Sequence, residues 1–403
     1  NWILYDVGNS AFVLMVATLI PIFFNALAAA GGLSSVEYLA YWGYASSAVT
    51  VITAVLSPIL GTVADTKGFK KPIFILCVFV GIVGCCAMGA ASAWLPFLVI
   101  FVIAKVGFSG SLVFYDSMLS DVTTPERMDE VSSRGYAWGY IGSCVPFVVC
   151  LGLVLGAGSI GISQMTALNL ALLLTAAWWL LTTLPLLKSY KQLYYVEVEK
   201  HAVRQSFARI GHTLRHLPED KQVFWFLLAF FCYIDGVYTI IDMATAYGTA
   251  LGLDTTGLLL ALLVTQIVAF PSALIFGRLS NKYPSAKLIP VCIAAYAGIA
   301  VFAFFLTRQW QFWVLAVIVG MFQGGVQALS RSHFAKIIPP EKSGEYFGLF
   351  DICGKGASFL GTMIVSVGSQ LTGSANVGVG SLIVLFIVGF VLFRVSCRQG
   401  ETV

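Results

Sequence analysis

Twelve apolar runs of about 20 residues or more follow one another along the chain, and they constrain its fold more than any other feature. A run of this length can cross the hydrocarbon core of a bilayer as a helix. The runs cover residues 2–28, 38–64, 71–93, 95–120, 132–157, 166–187, 222–251, 256–281, 287–307, 311–335, 345–371 and 378–396. Only 10% of the 403 residues are charged and 59% are hydrophobic, whereas a soluble domain is about a quarter charged. The sequence therefore predicts an all-α polytopic membrane protein embedded in the lipid bilayer.

Basic residues are distributed unevenly among the loops. Apart from the segment 188–221, the loops after even-numbered runs and the C-terminal tail carry Lys67, Lys70, Lys71, Arg127, Arg134, Arg278, Lys282, Lys287, Lys336, Lys342, Arg394 and Arg398. The opposite loops contain Arg308 and almost no other basic residue. Because loops rich in lysine and arginine stay on the cytoplasmic side, both termini are predicted to be cytoplasmic. We expect the inner cell membrane in a bacterium, and the vacuolar or lysosomal membrane in a eukaryote.

The segment 188–221 is the only long polar stretch, and it divides the chain. We predict an N-terminal six-helix bundle at 1–188, a cytoplasmic linker at 189–221 and a C-terminal six-helix bundle at 222–403. Apolar residues spaced by three or four positions run through the linker, at Val203, Phe207, Ile210, Leu214 and Leu217. This stripe is typical of a short amphipathic helix at the membrane surface. A disordered linker is the alternative.

The two halves repeat weakly. Gly277–Pro284 follows the eighth run as Gly61–Gly68 follows the second, in a degenerate form. Pro125–Arg127 after the fourth run likewise matches Pro340–Lys342 after the tenth. Parallel repeats of six helices are typical of one class of secondary transporter.

The polar stretch Gly61–Pro72, between the second and third runs, has the features of a tight hinge. Gly61 allows a neighbouring helix to approach closely, and Gly68 permits a left-handed turn. Asp65 lies at the C-terminal end of its helix, where the helix dipole disfavours an anion. It therefore requires a cation or the N-terminus of another helix as a partner. The stretch also contains three lysines that are expected to keep the loop in the cytoplasm: Lys67, Lys70 and Lys71.

Charged residues surround this hinge, and we interpret them as one network that holds the cytoplasmic side shut in one conformer. Such pairs would form in an outward-open state and break in an inward-open state. The network comprises Asp65, Asp121, Asp129, Glu130 and Arg134.

The hinge resembles the loop motif between the second and third helices of the major facilitator superfamily. That motif has Gly61, then Asp65 four residues on, then Gly68, followed by basic residues. Phe69 occupies a position that is usually basic in the superfamily, so Lys70 must carry the charge.

Other stretches resemble the vacuole-effluxer, autophagy-associated branch of that superfamily and its bacterial relatives. These are Asn1–Phe12, Asp235–Thr239, Gln327–Ser332, Gly348 and Gly354–Gly356. The resemblance implies the major facilitator fold, with twelve transmembrane helices in two pseudo-symmetric six-helix bundles. It also implies a monomeric carrier that effluxes or exchanges a small organic solute by alternating access.

Amino acids are the substrates associated with this branch, and we expect proton coupling or exchange. A flippase-like carrier of an amphiphilic or lipid substrate is the alternative function. A membrane receptor or scaffold that does not transport would lack a central polar cavity.

In this architecture spans 1, 4, 7 and 10 would line the cavity, and a charge inside a span is a functional candidate by default. Span 1 contains Tyr5, with Asp6 and Asn9 three residues apart on one face. They are candidates for a gate or a substrate contact, although a helix-start acid is also favoured by the dipole.

Span 4 contains Lys105, Tyr115 and Asp116. Lys105 and Asp116 are eleven residues, or three turns, apart on one face. Lys105 could bind a substrate carboxylate or pair with an acid of another span.

Span 7 contains Asp235 and Asp242 on one stripe, with Tyr238 between them. A carboxylic acid in a low-dielectric site can take up a proton, so Asp235 is our first candidate for proton coupling. The alternative is an ion pair with Lys105 or Lys355.

Spans 10 and 11 supply the remaining candidates. Gln323, Gln327 and Arg331 form a polar stripe in steps of four. Arg331 could clamp an anionic group bidentately or close the gate with Asp351. Asp351 and Lys355 are four residues apart and could form a pair within their own helix.

Enzymatic and metal-dependent functions lack support in the sequence. The four histidines do not predict a metal site, and the nine cysteines lie mostly in apolar runs, as small buried residues do. Gly156–Gly161 matches a dinucleotide fingerprint by letters alone, without the strand and the later acid that the fingerprint requires. We therefore predict no enzyme, no cofactor, no metal and no nucleic-acid partner.

Overall fold

The computed structural model of the protein describes residues 1–197, 211–213, 215–250 and 252–400, with the backbone alone at 35–36, 39, 245–246, 249–250, 255–256, 259 and 355–359. This part of the chain is almost entirely helical, and its only β pairing is an isolated bridge between Thr66 and Val196. Most of the predicted linker stripe, from Val203 to Leu214, lies outside the described residues.

Long helices follow the order of the apolar runs. Eleven helices in the described chain are long and apolar enough to cross a membrane, and a further helix of 30 residues, Ser343–Thr372, completes the series. In chain order the helices are α1 (Trp2–Ala17, continued by Leu19–Ala30), α2 (Ser35–Ala64), α3 (Lys70–Gly89), α4 (Trp94–Ser117), α5 (Met128–Leu155), α6 (Gln164–Ser189), α7 (Lys221–Ala250), α8 (Thr255–Leu279), α9 (Ser285–Phe304), α10 (Gln309–Ile337), α11 (Ser343–Thr372) and α12 (Ile383–Gly400).

The first apolar run is not one continuous helix. Thr18 has φ −131° and ψ −75°, and it separates Trp2–Ala17 from Leu19–Ala30. Its hydroxyl donates to the carbonyl oxygen of Leu14 at 2.5 Å. A hydroxyl that competes for a backbone carbonyl often bends a helix, and hydropathy alone does not locate such a bend.

Side-chain caps begin several helices at the end opposite the linker, among them α2 and α8. The Ser34 hydroxyl accepts from the Glu37 amide at 3.3 Å, and the Glu37 carboxylate accepts from the Ser34 amide at 2.9 Å. This reciprocal pair satisfies two amides at the start of α2. The hydrogen bond from the Ser34 amide holds the pKa of Glu37 below its usual value. Asp254 caps α8 in the same way, by accepting from the Gly257 amide at 2.7 Å.

Two bundles of six helices, α1–α6 and α7–α12, pack against each other. In the first bundle α1 packs on α5 and α6, and α3 packs on α4; in the second, α7 packs on α12, and α8 packs on α10. The bundles meet where α2 contacts α11 and where α5 contacts α8. The predicted all-α polytopic fold with two pseudo-symmetric six-helix bundles is confirmed.

One end of the bundles carries Asn1, the turn 65–69 and the start of the linker at 190–197, and we call it the linker face. The opposite end is the far face. The linker docks on the turn, because the Val196 amide donates to the Asp65 carbonyl at 2.8 Å and the Lys67 amide donates to the Val196 carbonyl at 3.2 Å. Gly68 adopts the predicted left-handed conformation with φ +80°. The turn and the linker therefore form one unit at this face.

Asp121 anchors the same unit from the end of α4. Its carboxylate accepts from the amides of Leu193 and Tyr194 at 2.9 and 3.0 Å, and from the Tyr190 hydroxyl at 2.6 Å. Burial, together with the negative charge of Asp121, raises the pKa of Tyr190. The phenol therefore stays neutral and remains a donor.

Candidate functional site

A polar cavity of about 340 Å³ lies between the two bundles. Both bundles contribute to its wall, as expected for a site at the interface of two repeats. Its polar and charged lining residues are Asp6, Asn9, Ser10, Asp116, Tyr136, Tyr140, Ser143, Tyr238, Asp242, Gln266, Gln323, Gln327, Arg331 and Asp351. Nine of our candidates are in this set, so polar residues on spans 1, 4, 7, 10 and 11 do converge.

Arg331 closes the cavity toward the linker face. It extends from α10 of the second bundle into the first bundle, and only 2% of the residue is exposed. Its guanidinium donates to Asp116 at 2.9 Å and to Asp6 at 3.4 Å. It also donates from Nε to the Ser132 hydroxyl at 2.9 Å and from Nη2 to the Ser132 carbonyl at 3.0 Å.

Aromatic rings complete the surroundings of this guanidinium. Its central carbon lies 4.8 Å from the ring centroid of Trp2, 5.5 Å from that of Tyr115 and 4.3 Å from that of Tyr136. We call Asp6, Asp116, Ser132, Trp2, Tyr115 and Tyr136 the guanidinium nest. All six belong to the first bundle, so each of these contacts with Arg331 crosses from the second bundle to the first. Arg331 pairs here with Asp6 and Asp116, and the predicted pair with Asp351 is replaced by these two.

The carboxylate of Asp6 is held within its own bundle as well. The Tyr115 hydroxyl donates to it at 2.7 Å, and the Asn9 amide donates to its other oxygen at 3.4 Å. Tyr5 lies outside the cavity wall, where its hydroxyl donates to Ser111 at 2.6 Å. Of the span 1 candidates, Asp6 and Asn9 therefore line the cavity, whereas Tyr5 packs behind its wall.

The remaining cavity candidates lie on the second bundle. Gln327 accepts from the hydroxyl of Tyr140 at 3.2 Å, and because Tyr140 lies on α5 this hydrogen bond links the two bundles. Asp351 accepts from the Ser57 hydroxyl at 2.9 Å, which links α11 to α2. Asp242 is exposed and lines the cavity with Tyr238.

Lys105 is half-buried and is not part of the cavity wall. Its ammonium lies 4.7 Å from the ring centroid of Phe108 and 5.9 Å from that of Phe12. It is close enough to Asp242 to act electrostatically on that carboxylate. The side chain of Lys355 lies outside the described part of the structure, so its predicted pair with Asp351 stays a prediction.

Asp235 also lies away from the cavity wall. It is fully buried between α7 and α11, and both carboxylate oxygens accept from the Gly361 amide at 2.9 Å. The Thr239 hydroxyl donates to the same carboxylate at 3.3 Å. A Cβ on Gly361 would lie 2.7 Å from this carboxylate and would overlap the Thr239 hydroxyl. Asp235 thus accepts a backbone hydrogen bond in the middle of α11.

Asp65 seals the linker face between α2 and α11. Its two oxygens accept from the amides of Gly344 and Glu345 at 2.7 and 2.8 Å. These amides belong to the first turn of α11, where a helix has unsatisfied donors and its positive dipole end. Lys70 lies 3.8 Å from Asp65. Asp65 therefore has both partners that its position in the sequence requires, the helix N-terminus and the cation.

Lys70 is fully buried and also crosses between the bundles. Its ammonium donates to the Ser343 hydroxyl at 2.8 Å and lies 3.5 Å from Asp121. We call Gly61, Asp65, Lys70, Asp121, Ser343 and Gly344 the linker-face latch. Lys71, on the next residue of α3, is half-buried.

The residues of the predicted single charge network fall into three separate groups, of which the linker-face latch, with Asp65 and Asp121, is the first. Asp129 forms the second, by accepting from the Ser332 hydroxyl at 2.6 Å and from the Lys336 ammonium at 2.6 Å across the bundle interface. Arg134 pairs with Glu130 at 2.7 Å within its own helix and is half-exposed. The interpretation of Arg134 as part of the closing network was therefore wrong, because its partner belongs to the same bundle.

Span 5 contributes cavity residues that the sequence analysis did not select. Tyr136, Tyr140 and Ser143 follow one another by four and three positions, a helical stripe readable from the sequence. They lie outside spans 1, 4, 7 and 10, which we expected to line the cavity. Gln266 on α8, an isolated amide in an apolar run, had no such signal.

Replacing Gly61 with valine is expected to open the linker face. A Cβ at this position would overlap the carbonyl oxygen of Gly344, so α11 would have to move away from α2. Overpacking of this kind typically costs about 1–3 kcal/mol, which corresponds to about tenfold in a conformational equilibrium. The measurement is the distance between spin labels placed at Lys67 and Glu341, both exposed at this face.

Gly43 provides the matched control for that experiment. It lies on the same helix, and a Cβ there meets nothing within 4 Å. Gly43→Val should leave the label distance unchanged. An equal shift in both variants would contradict a specific steric role for Gly61.

Comparison with known proteins identifies the family. A family model described as "Vacuole effluxer Atg22 like" matches residues 1–402. The chain is 42% identical to a Bacillus subtilis protein described as the uncharacterized MFS-type transporter YxiO, over 100% of this chain and 95% of that protein. It is 25% identical to autophagy-related protein 22 of Coccidioides immitis, over 67% of this chain. The alignment spans about half of that longer protein, 51%.

Solved structures agree on the fold. The human organic anion transporter MFSD10 superposes with a TM-score of 0.73 at 15% identity, covering 97% of both chains. The major facilitator transporter FucP, in its outward conformation, superposes with a TM-score of 0.72 at 16% identity, covering 98% of this chain and 97% of that chain. With the family match over nearly its whole length, this integral membrane chain belongs to the vacuole effluxer Atg22-like family and is a transporter of the major facilitator superfamily.

Proposed function

We propose that the protein is a secondary transporter that moves a small organic solute by alternating access, with proton coupling or exchange. The observation that supports this most directly is a polar cavity lined by both bundles and closed at one end by contacts that each join the two bundles. A receptor or scaffold has no need of such a cavity. We further propose that the linker face is cytoplasmic, as the distribution of basic loops predicts.

Three groups of contacts hold the linker face shut in the described conformation. They are the guanidinium nest around Arg331, the linker-face latch around Asp65, and the pairing of Asp129 with Ser332 and Lys336. Each group is a discrete set of hydrogen bonds rather than a deformable surface. Opening requires all three to break together, which gives the two-state behaviour that alternating access needs.

Opening also changes the charge balance of the first bundle. When Arg331 moves away with the second bundle, Asp6 and Asp116 lose the cation that they share, and both carboxylates stay on the first bundle beside the aromatic rings of the guanidinium nest. Two neighbouring carboxylates in such a site cannot both stay ionised without a compensating charge. We infer that a proton, or a cationic solute, replaces the guanidinium as the linker face opens. Asp6 and Asp116 thus replace Asp235 as our leading candidates for coupling.

Proteoliposomes test this coupling. A pH gradient should change the rate of solute uptake by the natural protein, whereas Asp116→Asn should make uptake less sensitive to the gradient, because the neutral amide cannot take up a proton and Asp6 is then the only acid of the pair. Asp235→Asn is the matched control, since Asp235 is buried on α7 and away from the cavity wall. Loss of pH sensitivity in Asp235→Asn and its retention in Asp116→Asn would return the coupling role to Asp235.

The proposal leaves the solute open in one respect. Amino acids remain the class predicted from the resemblance, and labelled amino acids are the first solutes to test for uptake or exchange in the same vesicles. Lipid analogues that cross the membrane in place of every small solute would favour the flippase-like alternative.

A further inference from the structure

Acidic groups outnumber basic groups in the cavity. Four carboxylates line it, those of Asp6, Asp116, Asp242 and Asp351, and Arg331 is the only basic residue among the described lining side chains. The guanidinium is already bonded to two of the acids. Counting Lys105 and Lys355 as well would still leave one more acid than base. The electrostatic environment therefore favours a cationic group over an anionic one.

Two residues of the cavity wall carry hydrogen-bond acceptors that matter here, Asp242 and Gln323. Asp242 is exposed and lies one turn along α7 from Tyr238. Gln323 is only 4% exposed, and its side-chain oxygen has no hydrogen-bond partner among the described residues. A buried acceptor without a partner is costly, and an N–H donor on a bound molecule would satisfy it. Both groups thus call for a ligand that donates hydrogen bonds.

Aromatic faces surround the same volume. Tyr136, Tyr140, Tyr238, Phe230 and Phe350 all line the cavity. A cation within about 6 Å of such a face is attracted by the ring quadrupole. The guanidinium of Arg331, 4.3 Å from the centroid of Tyr136, shows that this wall already holds a cation in that way.

An apolar side pocket of about 50 Å³ adjoins the cavity within the second bundle. It shares Ile241, Gln266 and Gln323 with the cavity wall. The rest of its lining is almost wholly apolar and includes Leu262, Phe312 and Val319. A volume of this size corresponds to roughly three to five water molecules, which is enough for a short hydrocarbon group. Gln323, whose side-chain oxygen has no partner among the described residues, therefore belongs to the walls of both the polar cavity and the apolar side pocket.

We propose that the transported solute is a small apolar amine. Its ammonium group lies in the cavity near Asp242 and the Gln323 oxygen, and its hydrocarbon end enters the side pocket. This inference rests on the proposed transport function and specifies the substrate class. Recognition depends on the positive nitrogen and the apolar end, and a carboxylate on the solute contributes nothing favourable.

Three compounds with one hydrocarbon skeleton test the charge requirement: 3-methylbutylamine, leucine and 4-methylpentanoate. Binding to the purified full chain is measured by ligand-dependent thermal shift and by calorimetry. The amine should bind about tenfold or more tightly than either of the others. It alone carries a positive charge and has no carboxylate to place in the acidic cavity. Tighter binding of leucine or of 4-methylpentanoate, or equal binding of all three, would overturn the amine proposal.

Two further comparisons test the two ends of the ligand. Asp242→Asn should weaken 3-methylbutylamine about tenfold, because it removes a charge-assisted hydrogen bond, and should not weaken 4-methylpentanoate, because it removes a charge that repels the anion. Glu219→Gln, which changes an exposed residue at the linker face, is the matched control.

In the natural protein ethylamine should bind more weakly than 3-methylbutylamine, because it cannot fill the side pocket. Equal affinities for the two amines would remove the side pocket from the proposal without any variant having to fold.

Failure of this proposal can be told apart from failure of the transport function. Binding is measured in the absence of a membrane gradient, whereas transport is measured in vesicles. A protein that transports a solute but does not prefer amines loses only the substrate class. A protein that binds amines but moves no solute in vesicles loses only the transport function.

Discussion

Replacing Arg331 with glutamine is expected to reduce transport by about 100-fold or more, the largest effect of any single substitution at the cavity. The variant leaves Asp6 and Asp116 in their buried positions without the guanidinium that pairs with both. Removing one partner of a buried ion pair typically costs about 3–5 kcal/mol, and each 1.4 kcal/mol is a factor of ten in an equilibrium constant. The conformer closed at the linker face would therefore be strongly disfavoured. Solute uptake in proteoliposomes and thermal stability in detergent measure the two consequences.

Two companion variants distinguish charge from geometry. Arg331→Lys keeps the charge but loses the planar fork that contacts Asp116, Asp6 and Ser132 together, so transport should recover only in part. The triple variant Asp6→Asn, Asp116→Asn, Arg331→Gln removes the uncompensated charges. It should regain thermal stability without regaining pH-sensitive transport. Wild-type transport in Arg331→Gln would show that the guanidinium nest is packing alone.

The order and number of the helices could be predicted from the sequence because hydrophobic length has a direct physical meaning in a bilayer. A run of about 20 apolar residues must form a helix there, since unpaired backbone groups are too costly in hydrocarbon. The break at Thr18 could not be predicted in this way, because it depends on one hydroxyl and not on hydropathy. The predicted boundaries nevertheless lie close to the observed helices at α3, α4 and α6.

The polar face of each single helix could be predicted from the sequence, but the side-chain contacts between helices could not. Stripes such as Gln323, Gln327 and Arg331 identify the polar face of a helix, and all three residues do line the cavity. The partner of Arg331 depends on how two bundles of distant sequence dock, and no spacing within one helix encodes that contact.

Asp235 illustrates the limit of helical spacing. It shares a stripe with Asp242, yet only Asp242 lines the cavity. Seven residues advance a helix by about 10.5 Å along its axis, so the two carboxylates have different neighbours even on one face. Asp235 reaches the Gly361 amide of α11, a contact that becomes visible only once α7 and α11 are packed.

Replacing Asp65 with alanine is the second substitution for which we expect a large effect, here on the conformational equilibrium. The change leaves the amides of Gly344 and Glu345 without their carboxylate and leaves buried Lys70 with Asp121 as its nearest acid. A buried donor that loses its partner costs about 1–3 kcal/mol, and here two amides are affected. Conformers open at the linker face should therefore become populated, and spin labels at Lys67 and Glu341 should report longer distances than in the natural protein.

Arg134→Gln is the control for the Asp65 experiment, because it removes an ion pair that lies within one helix and does not cross the interface. Its label distances should match those of the natural protein. Asp65→Asn should give an intermediate result. Its side-chain oxygen can still accept one of the two amide hydrogen bonds, so the label distance should increase less than in Asp65→Ala. Unchanged distances in Asp65→Ala would mean that the first turn of α11 is held by its close packing at Gly61 and Gly344 alone. The latch would then depend on shape and not on charge.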